Sequence, residues 1–180
     1  EISPLLDIPL PNPFSSGNVG KHLYKPFDDT GVPLTTRPEG DFYYIVSIAA
    51  YAYDLYNYYY HNRDDQETLD KFLVVAKWLK DNCQYTEYGF CSYRSDFPIE
   101  AYELTTDWTS AMGQGQAISS LVGAYYLTGD DSYAQVAKDA VSAFFYPIKE
   151  KGLSADFEGV TWYEEYGSES MQAHVLNGSL

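Results

Sequence analysis

The densest set of acid–base side chains in the chain is WYEEYG, residues 162–167. Trp162, Tyr163, Glu164, Glu165 and Tyr166 place two carboxyls and two phenols within five residues. A Glu beside a Tyr serves as a general acid–base pair when burial moves both groups toward neutrality. In an extended run alternate residues share a face. Glu164 is therefore expected beside Trp162 and Tyr166, with Tyr163 and Glu165 on the other side. The competing reading is a surface loop with two solvated glutamates.

Two further stretches stand out. HVLNG, residues 174–178, follows the acidic motif after a short gap, and WTSAMGQGQ, residues 108–116, lies upstream. The latter has the look of a phosphate loop but lacks its parts: no third glycine and no following Lys-Ser. Close packing suits it better. Ala111, Gly113, Gly115 and Ala117 would let a helix approach a neighbour or a ligand, with Gln114 and Gln116 pointing into a cleft or capping one end.

Helices are expected to position these motifs. Residues 42–61 are apolar or aromatic nearly all round, as in a helix buried on most sides. Residues 67–82 are amphipathic, with Leu69, Phe72, Leu73, Ala76 and Leu79 near one stripe. Residues 109–127 return to helix, and Asp130-Asp131-Ser132 offers an N-cap to a second amphipathic helix, YAQVAKDAVSAFF. The segment YNYYYHNRDDQETLDKFLVVAKWL resembles GAYYLTGDDSYAQVAKDAVSAFF at an offset of about 66 residues, in the range of a helix-pair repeat plus an insertion. The segments 84–108 and 152–166 alternate aromatic and polar residues and read as strand or hairpin excursions.

The resulting expectation is an all-α-dominated fold: an incomplete α/α toroid of helix pairs with short β-hairpin excursions. Residues 41–180 would form that domain. Residues 1–40, which hold seven prolines, would form an extended arm, with a turn at Asp28–Gly31. A closed ring needs more units, either from a larger assembly or from pairing with another chain such as a second copy of this one.

The formal net charge is −15, and the arginines are Arg37, Arg63 and Arg94. Nucleic acid is thereby excluded as a partner, because its affinity rests on Lys and Arg at phosphates. An anionic ligand needs a local basic patch, to which Arg37, Arg63, Arg94, Lys21 and Lys25 could contribute. No apolar run is long enough to span a membrane, and no signal peptide is visible, so the chain reads as soluble with its compartment open. Nineteen tyrosines suit either a sugar-binding surface or a Tyr-rich helical core. Cys83 and Cys91 could close one small loop or remain free thiols; no spacing points to a metal.

The three motifs, in this order and at this distance, resemble the C-terminal domain of the D-glucuronyl C5-epimerases, which act on heparosan and heparan sulfate. That family's pattern reads approximately W-x-S-A/G-M-x-Q-G-Q-A-I-S, then W-Y-E-E-Y-P, then V-L-N-G. Residues 41–178 carry the resemblance, with Gly167 standing where the family has proline. The resemblance implies an isomerase that removes the C5 proton of a glucuronate unit in an anionic polysaccharide and returns one from the opposite face. It implies Glu165 and Tyr166 as catalytic residues. Arg94 sits where the family has a basic residue and would pair with the substrate carboxylate, unless it is tied to Asp96 or Glu103. Trp108, Gln114, Gln116, Tyr163 and Asn177, from the same motifs, would contact substrate. No cofactor is required and no metal is implied. Further essential tyrosines follow VLNG in the family, past Leu180 here, so this chain is expected to be an incomplete or inactive piece on its own. A polysaccharide-binding or lyase-like module and a non-catalytic helical-repeat protein are the alternatives.

Overall fold

A computed structural model describes residues 24–179. Four helices carry the architecture: α1 (Ile45–His61), α2 (Gln66–Asn82), α3 (Ala111–Thr128) and α4 (Asp131–Ser142). They form two sequential pairs, and α1 and α3 pack against each other at the centre. The first residues of α1 and α3 differ by 66 positions, as the repeat requires. Asp65 and Asp130 cap α2 and α4, each accepting a backbone N–H of the first turn. The core contains Ile48, Ala52 and Leu55 of α1, Phe72 and Leu79 of α2, Leu121 of α3 and Ala140 of α4.

The excursions overturn the all-α expectation. Eight short strands pair into four antiparallel two-stranded sheets. These are β1 (Thr35–Arg37) with β2 (Gly40–Phe42), β3 (Gln84–Tyr85) with β4 (Cys91–Ser92), β5 (Arg94–Ser95) with β6 (Trp108–Thr109), and β7 (Ser154–Phe157) with β8 (Val160–Tyr163). Among the described residues helix, 3-10 turns included, accounts for 50% and strand, isolated bridges included, for 19%, so the fold is mixed α and β rather than an all-α toroid. The physical reason is local. Each excursion is rich in β-branched and aromatic residues, and a glycine at positive φ turns three of these hairpins: Gly40, Gly89 and Gly159.

Cys83 and Cys91 are joined in a disulfide that closes the β3–β4 hairpin. This resolves the alternative left open by their spacing. The turn expected at Asp28–Gly31 forms: the Asp28 carboxylate accepts the N–H groups of Thr30 and Val32. These bonds, with those from the Thr30 and Tyr43 hydroxyls, hold its pKa down at about 2 against a desolvation that pushes the other way. Residues 1–23 of the expected arm lie outside the described residues. No helix among the described residues is long and apolar enough to cross a membrane.

Candidate functional site

The site is assembled where the first turn of α3 meets the chain just after β8. Helix N-termini leave backbone N–H groups without helical partners. Here residues 164 and 165 supply two of the partners. The Ala111 N–H donates to the Glu164 carbonyl at 2.9 Å. The Met112 N–H donates to the Glu165 carboxylate. The Gly113 N–H donates to the side chain of its own N-cap, Ser110, at 3.0 Å. The Ser110 hydroxyl in turn donates to Glu165 Oε2 at 3.2 Å. On the outer side, Thr109 and Gly167 exchange two backbone hydrogen bonds of 2.9 Å. A proline at 167 could not donate the second, which gives the glycine in this chain a physical role. A Cβ there would also stand 2.9 Å from the Thr109 hydroxyl.

Strand β8 ends at Tyr163, and a turn at Glu165–Tyr166 breaks the alternation. The expected separation of Glu165 from Tyr166 onto opposite faces is therefore not observed, because period two holds only while the backbone stays extended. Both side chains instead lie near Tyr44, which precedes α1. The Tyr44 hydroxyl donates to the Tyr166 oxygen. Tyr166 stacks on Tyr102 at 4.3 Å and leans on Trp108 at 5.9 Å. Arg37 completes the cluster. Its guanidinium lies over the Phe97 ring, 5.1 Å from the centroid. Its buried Nε has no hydrogen-bond partner among the described residues.

Burial sets the electrostatics. Glu165 is 1% exposed, and desolvation pushes its carboxyl up to about 7 against the opposing bonds from Ser110 and Met112. Desolvation, then the Glu165 charge, raises the Tyr166 phenol, while the Tyr44 hydrogen bond and the Arg37 charge pull it back. Desolvation is also the largest influence raising Tyr44. Glu164 is fully buried with its carboxylate on the His174 N–H, at 3.0 and 3.3 Å. Desolvation raises its pKa too, but those bonds direct it into the structure, toward the segment that leads to VLNG.

The remaining motif residues divide by environment. Trp108 is fully buried and donates Nε1–H to the Phe97 carbonyl at 2.7 Å. Gln114 is 0% exposed. Its amide bonds the Cys91 and Ala140 carbonyls and the Tyr93 N–H, tying α3 to β4 and α4. Gln116 is half-buried, and its Oε1 has no partner among the described residues. Tyr163 is half-buried against Phe144. Asn177 is exposed on a 3-10 turn, Leu176–Ser179. The adjoining Gly178 is pressed against the acidic motif: a Cβ there would stand 2.2 Å from the Tyr163 carbonyl oxygen and 2.4 Å from the Glu165 nitrogen. Arg94 lies 3.6 Å from Asp107, rather than on Asp96 or Glu103.

Of the residues named for a basic patch, Arg63 stands apart. Arg63 follows α1, over the rings of Tyr59 and Tyr60, about 25 Å along that helix from Tyr44. Lys21 lies outside the described residues. The motif reading did not select Ser110 or Tyr44, and the charge reading named Arg37 only as one of five contributors to a basic patch. The signal available for Ser110 was its position before a helix, where a hydroxyl caps.

A family profile described as D-glucuronyl C5-epimerase C-terminus matches residues 84–180. The chain belongs to that family. Within it, the chain is 38% identical to a D-glucuronyl C5-epimerase of Caenorhabditis elegans, across 61% of this chain and 18% of that protein. It is 33% identical to an uncharacterized protein of Methanocaldococcus jannaschii, across 64% of this chain and 41% of that one. The chain thus corresponds to less than half the length of either relative. The profile includes WTSAMGQGQ, WYEEYG and HVLNG, the three segments that are folded onto one another here.

Proposed function

We propose that this chain supplies the acid–base centre of a C5-epimerase acting on glucuronate units of a polysaccharide. The observation that carries the reading is Glu165: a buried carboxyl titrating at about 7, beside Tyr166 and Tyr44. A group poised near the working pH both takes and gives a proton efficiently.

The C5–H of a uronate is α to its carboxylate, so removing that proton spreads negative charge onto the carboxylate oxygens. In this reading Arg37 holds the carboxylate and stabilises the added charge. Glu165 and Tyr166 act from opposite sides of the sugar ring. One takes the C5 proton, and the other returns a proton to the opposite face. The proton count is unchanged and no electrons are gained or lost. Desolvation and the Glu165 charge outweigh the Tyr44 hydrogen bond and the Arg37 charge and keep Tyr166 a neutral phenol, as the role of returning a proton requires. Arg94 and Gln116 are assigned to the surrounding sugar units, together with the exposed Asn177. Trp108 and Gln114 support the site from within the core, and Tyr163 supports it from the end of β8.

The test is incubation with a glucuronate polymer in deuterated water, using this chain and any longer protein that contains it. Deuterium at C5 with the polymer intact supports the proposal. An unsaturated, ultraviolet-absorbing product would identify a lyase instead. Absence of both from this chain and from any longer protein that contains it would overturn the catalytic reading.

A further inference from the structure

Glu164 is fully buried, and it ties the acidic motif to three separate segments. Its N–H donates to the Leu153 carbonyl at 3.2 Å, and its carbonyl accepts the Ala111 N–H at the start of α3. Its carboxylate accepts the His174 N–H at 3.0 and 3.3 Å and the Ala173 N–H as well. A carboxylate meets such donors with both of its oxygens, whereas an amide would present an NH₂ group to them on one side.

The tie to residues 173 and 174 sets the course of the chain after the motif. The chain turns at Ser168–Met171, where the Met171 N–H donates to the Ser168 hydroxyl at 3.2 Å, and Gly167 and Gln172 pair antiparallel. His174 then takes a φ of 49°, a left-handed conformation that costs any residue with a Cβ. The bond to Glu164 is made at that residue and offsets the cost. The imidazole is less engaged: its Nε2 stands 3.6 Å from Glu164 Oε1, and its ring lies on Phe157 at 4.4 Å. Two residues on, the turn Leu176–Ser179 packs against α3 and the end of β8. Gly178 is buried there. Its missing side chain faces the Tyr163 carbonyl oxygen, the Glu164 carbonyl carbon and the Glu165 nitrogen, at 2.2, 2.7 and 2.4 Å from where a Cβ would stand. The turn therefore lies directly on the peptide that joins Glu164 to Glu165.

We infer that Glu164 is a positioning residue for Glu165: by anchoring residues 173 and 174 it seats the Leu176–Ser179 turn on the motif and keeps water from the Glu165 carboxyl. The two adjacent carboxyls thus divide the work, one holding the cover and the other lying beneath it. The ionisable groups that act with Glu165 are Tyr44, before α1, and Tyr166, with the Arg37 charge reaching both phenols. The chain after the motif brings the His174 imidazole, on the Glu164 side. Burial holds Glu165 up against the Ser110 and Met112 bonds. Without the cover those bonds prevail, and the carboxyl returns toward its ordinary range. The inference rests on the epimerase reading only for its consequence in turnover, because the exclusion of water is measurable without a substrate.

The experiment follows the Glu165 titration by carbon NMR of protein labelled at its glutamate carboxyls, with the signal assigned by its loss in Glu165→Gln. Wild type is expected to titrate near 7. Glu164→Gln and Gly178→Ala are each expected to titrate lower by about one pH unit or more. The second variant keeps the Glu164 charge and lifts the turn, because an added methyl group would meet backbone atoms. In a longer protein that contains this chain and exchanges C5 hydrogen, both variants move the Glu165 limb of the pH profile to lower pH, a change that loss of folded protein alone does not produce. Circular dichroism checks folding, and Glu164→Asp replaces Glu164→Gln should the latter unfold. Folded variants that titrate as wild type overturn the inference. So does a shift in only one of the two, which would mean a charge effect of Glu164 or a cover that does not depend on it. A wild-type Glu165 that titrates as an exposed carboxyl overturns it as well. The epimerase reading fails separately, through absence of C5 deuteration by this chain and by any longer protein that contains it.

Discussion

The Ser110 hydroxyl lies 3.2 Å from Glu165 Oε2 while it accepts the Gly113 N–H at 3.0 Å. One oxygen therefore caps helix α3 and holds the candidate acid–base carboxyl. The Met112 N–H reaches the same carboxylate. Glu165 thus sits at a helix N-terminus, where the backbone favours negative charge, yet burial wins and its pKa rises. Opposed influences of this kind leave a carboxyl near neutral pH instead of at either extreme.

Removing the hydroxyl separates the two roles. Ser110→Ala is expected to cost about 1 kcal/mol through the lost cap, and Ser110→Gly only a few tenths. Both remove a bond that lowers the Glu165 pKa, so both move the limb of the activity–pH profile that Glu165 governs to higher pH. Urea denaturation gives the first quantity, and the pH profile of C5 deuterium exchange gives the second. Equal profiles for wild type and both variants would mean that the hydroxyl acts as a cap alone.

Glu165 also makes stability depend on pH. Its folded pKa of about 7 exceeds the ordinary 4.5. Between those values the folded state binds more protons than the unfolded state. Stability therefore falls as pH rises from 4.5 to 7, and the full penalty, about 3 kcal/mol, persists above 7. Glu165→Gln is expected to be more stable than wild type at pH 8 by up to about that amount, with little difference at pH 4. The same variant loses C5 exchange. Denaturation at the two pH values checks the sign; a variant that is less stable at pH 8 contradicts it.

The helix pairs were readable in the sequence because an apolar face and an Asp cap recur at a nearly constant offset. The mixed fold was less readable: short hairpins of two to four residues leave little periodicity, and their number decides the class. The acidic motif showed its chemistry but not its geometry, because a turn at Glu165–Tyr166 cancels a period-two assignment. Gln114 illustrates a different limit. Its amide bonds three backbone groups inside the core, and nothing local distinguishes such a glutamine from one facing a cleft. Tyr44 and Arg37 lie more than 100 residues from the acidic motif, so only the α1–α3 packing and the β1–β2 hairpin bring them to it.

Arg37 should matter to binding and chemistry together. Its charge reaches Tyr44 and Tyr166, and a hydrogen-bonded charge pair with a substrate carboxylate contributes about 1.5–3 kcal/mol. Arg37→Met is expected to lower kcat/KM for C5 exchange roughly 10- to 100-fold. It should also reduce discrimination between a glucuronate oligosaccharide and its carboxyl-reduced counterpart. Arg37→Lys keeps the charge but not the planar fork, and recovers only part of the loss. Unchanged discrimination in Arg37→Met would remove the residue from carboxylate recognition.

The two glycines of WTSAMGQGQ should respond in opposite directions to the same substitution. A Cβ on Gly113 would stand 2.7 Å from Ile45 Cγ2 and 3.1 Å from Val46 Cγ2, whereas one on Gly115 meets nothing within 4 Å. Gly113→Ala therefore forces α3 away from the start of α1, at a cost of about 1–3 kcal/mol. Gly115→Ala lies in a helix interior with open space and is expected to stabilise by roughly 0.5–1 kcal/mol. Ile45 follows Tyr44, and Gly113 bonds Ser110, so the strain in Gly113→Ala falls on the contact that brings Tyr44 to Glu165. That variant should lose exchange activity as well as stability, while Gly115→Ala retains activity. Denaturation midpoints and exchange rates for the pair check this; a Gly113→Ala variant as stable as wild type would show that the first turn of α3 does not bear tightly on Ile45.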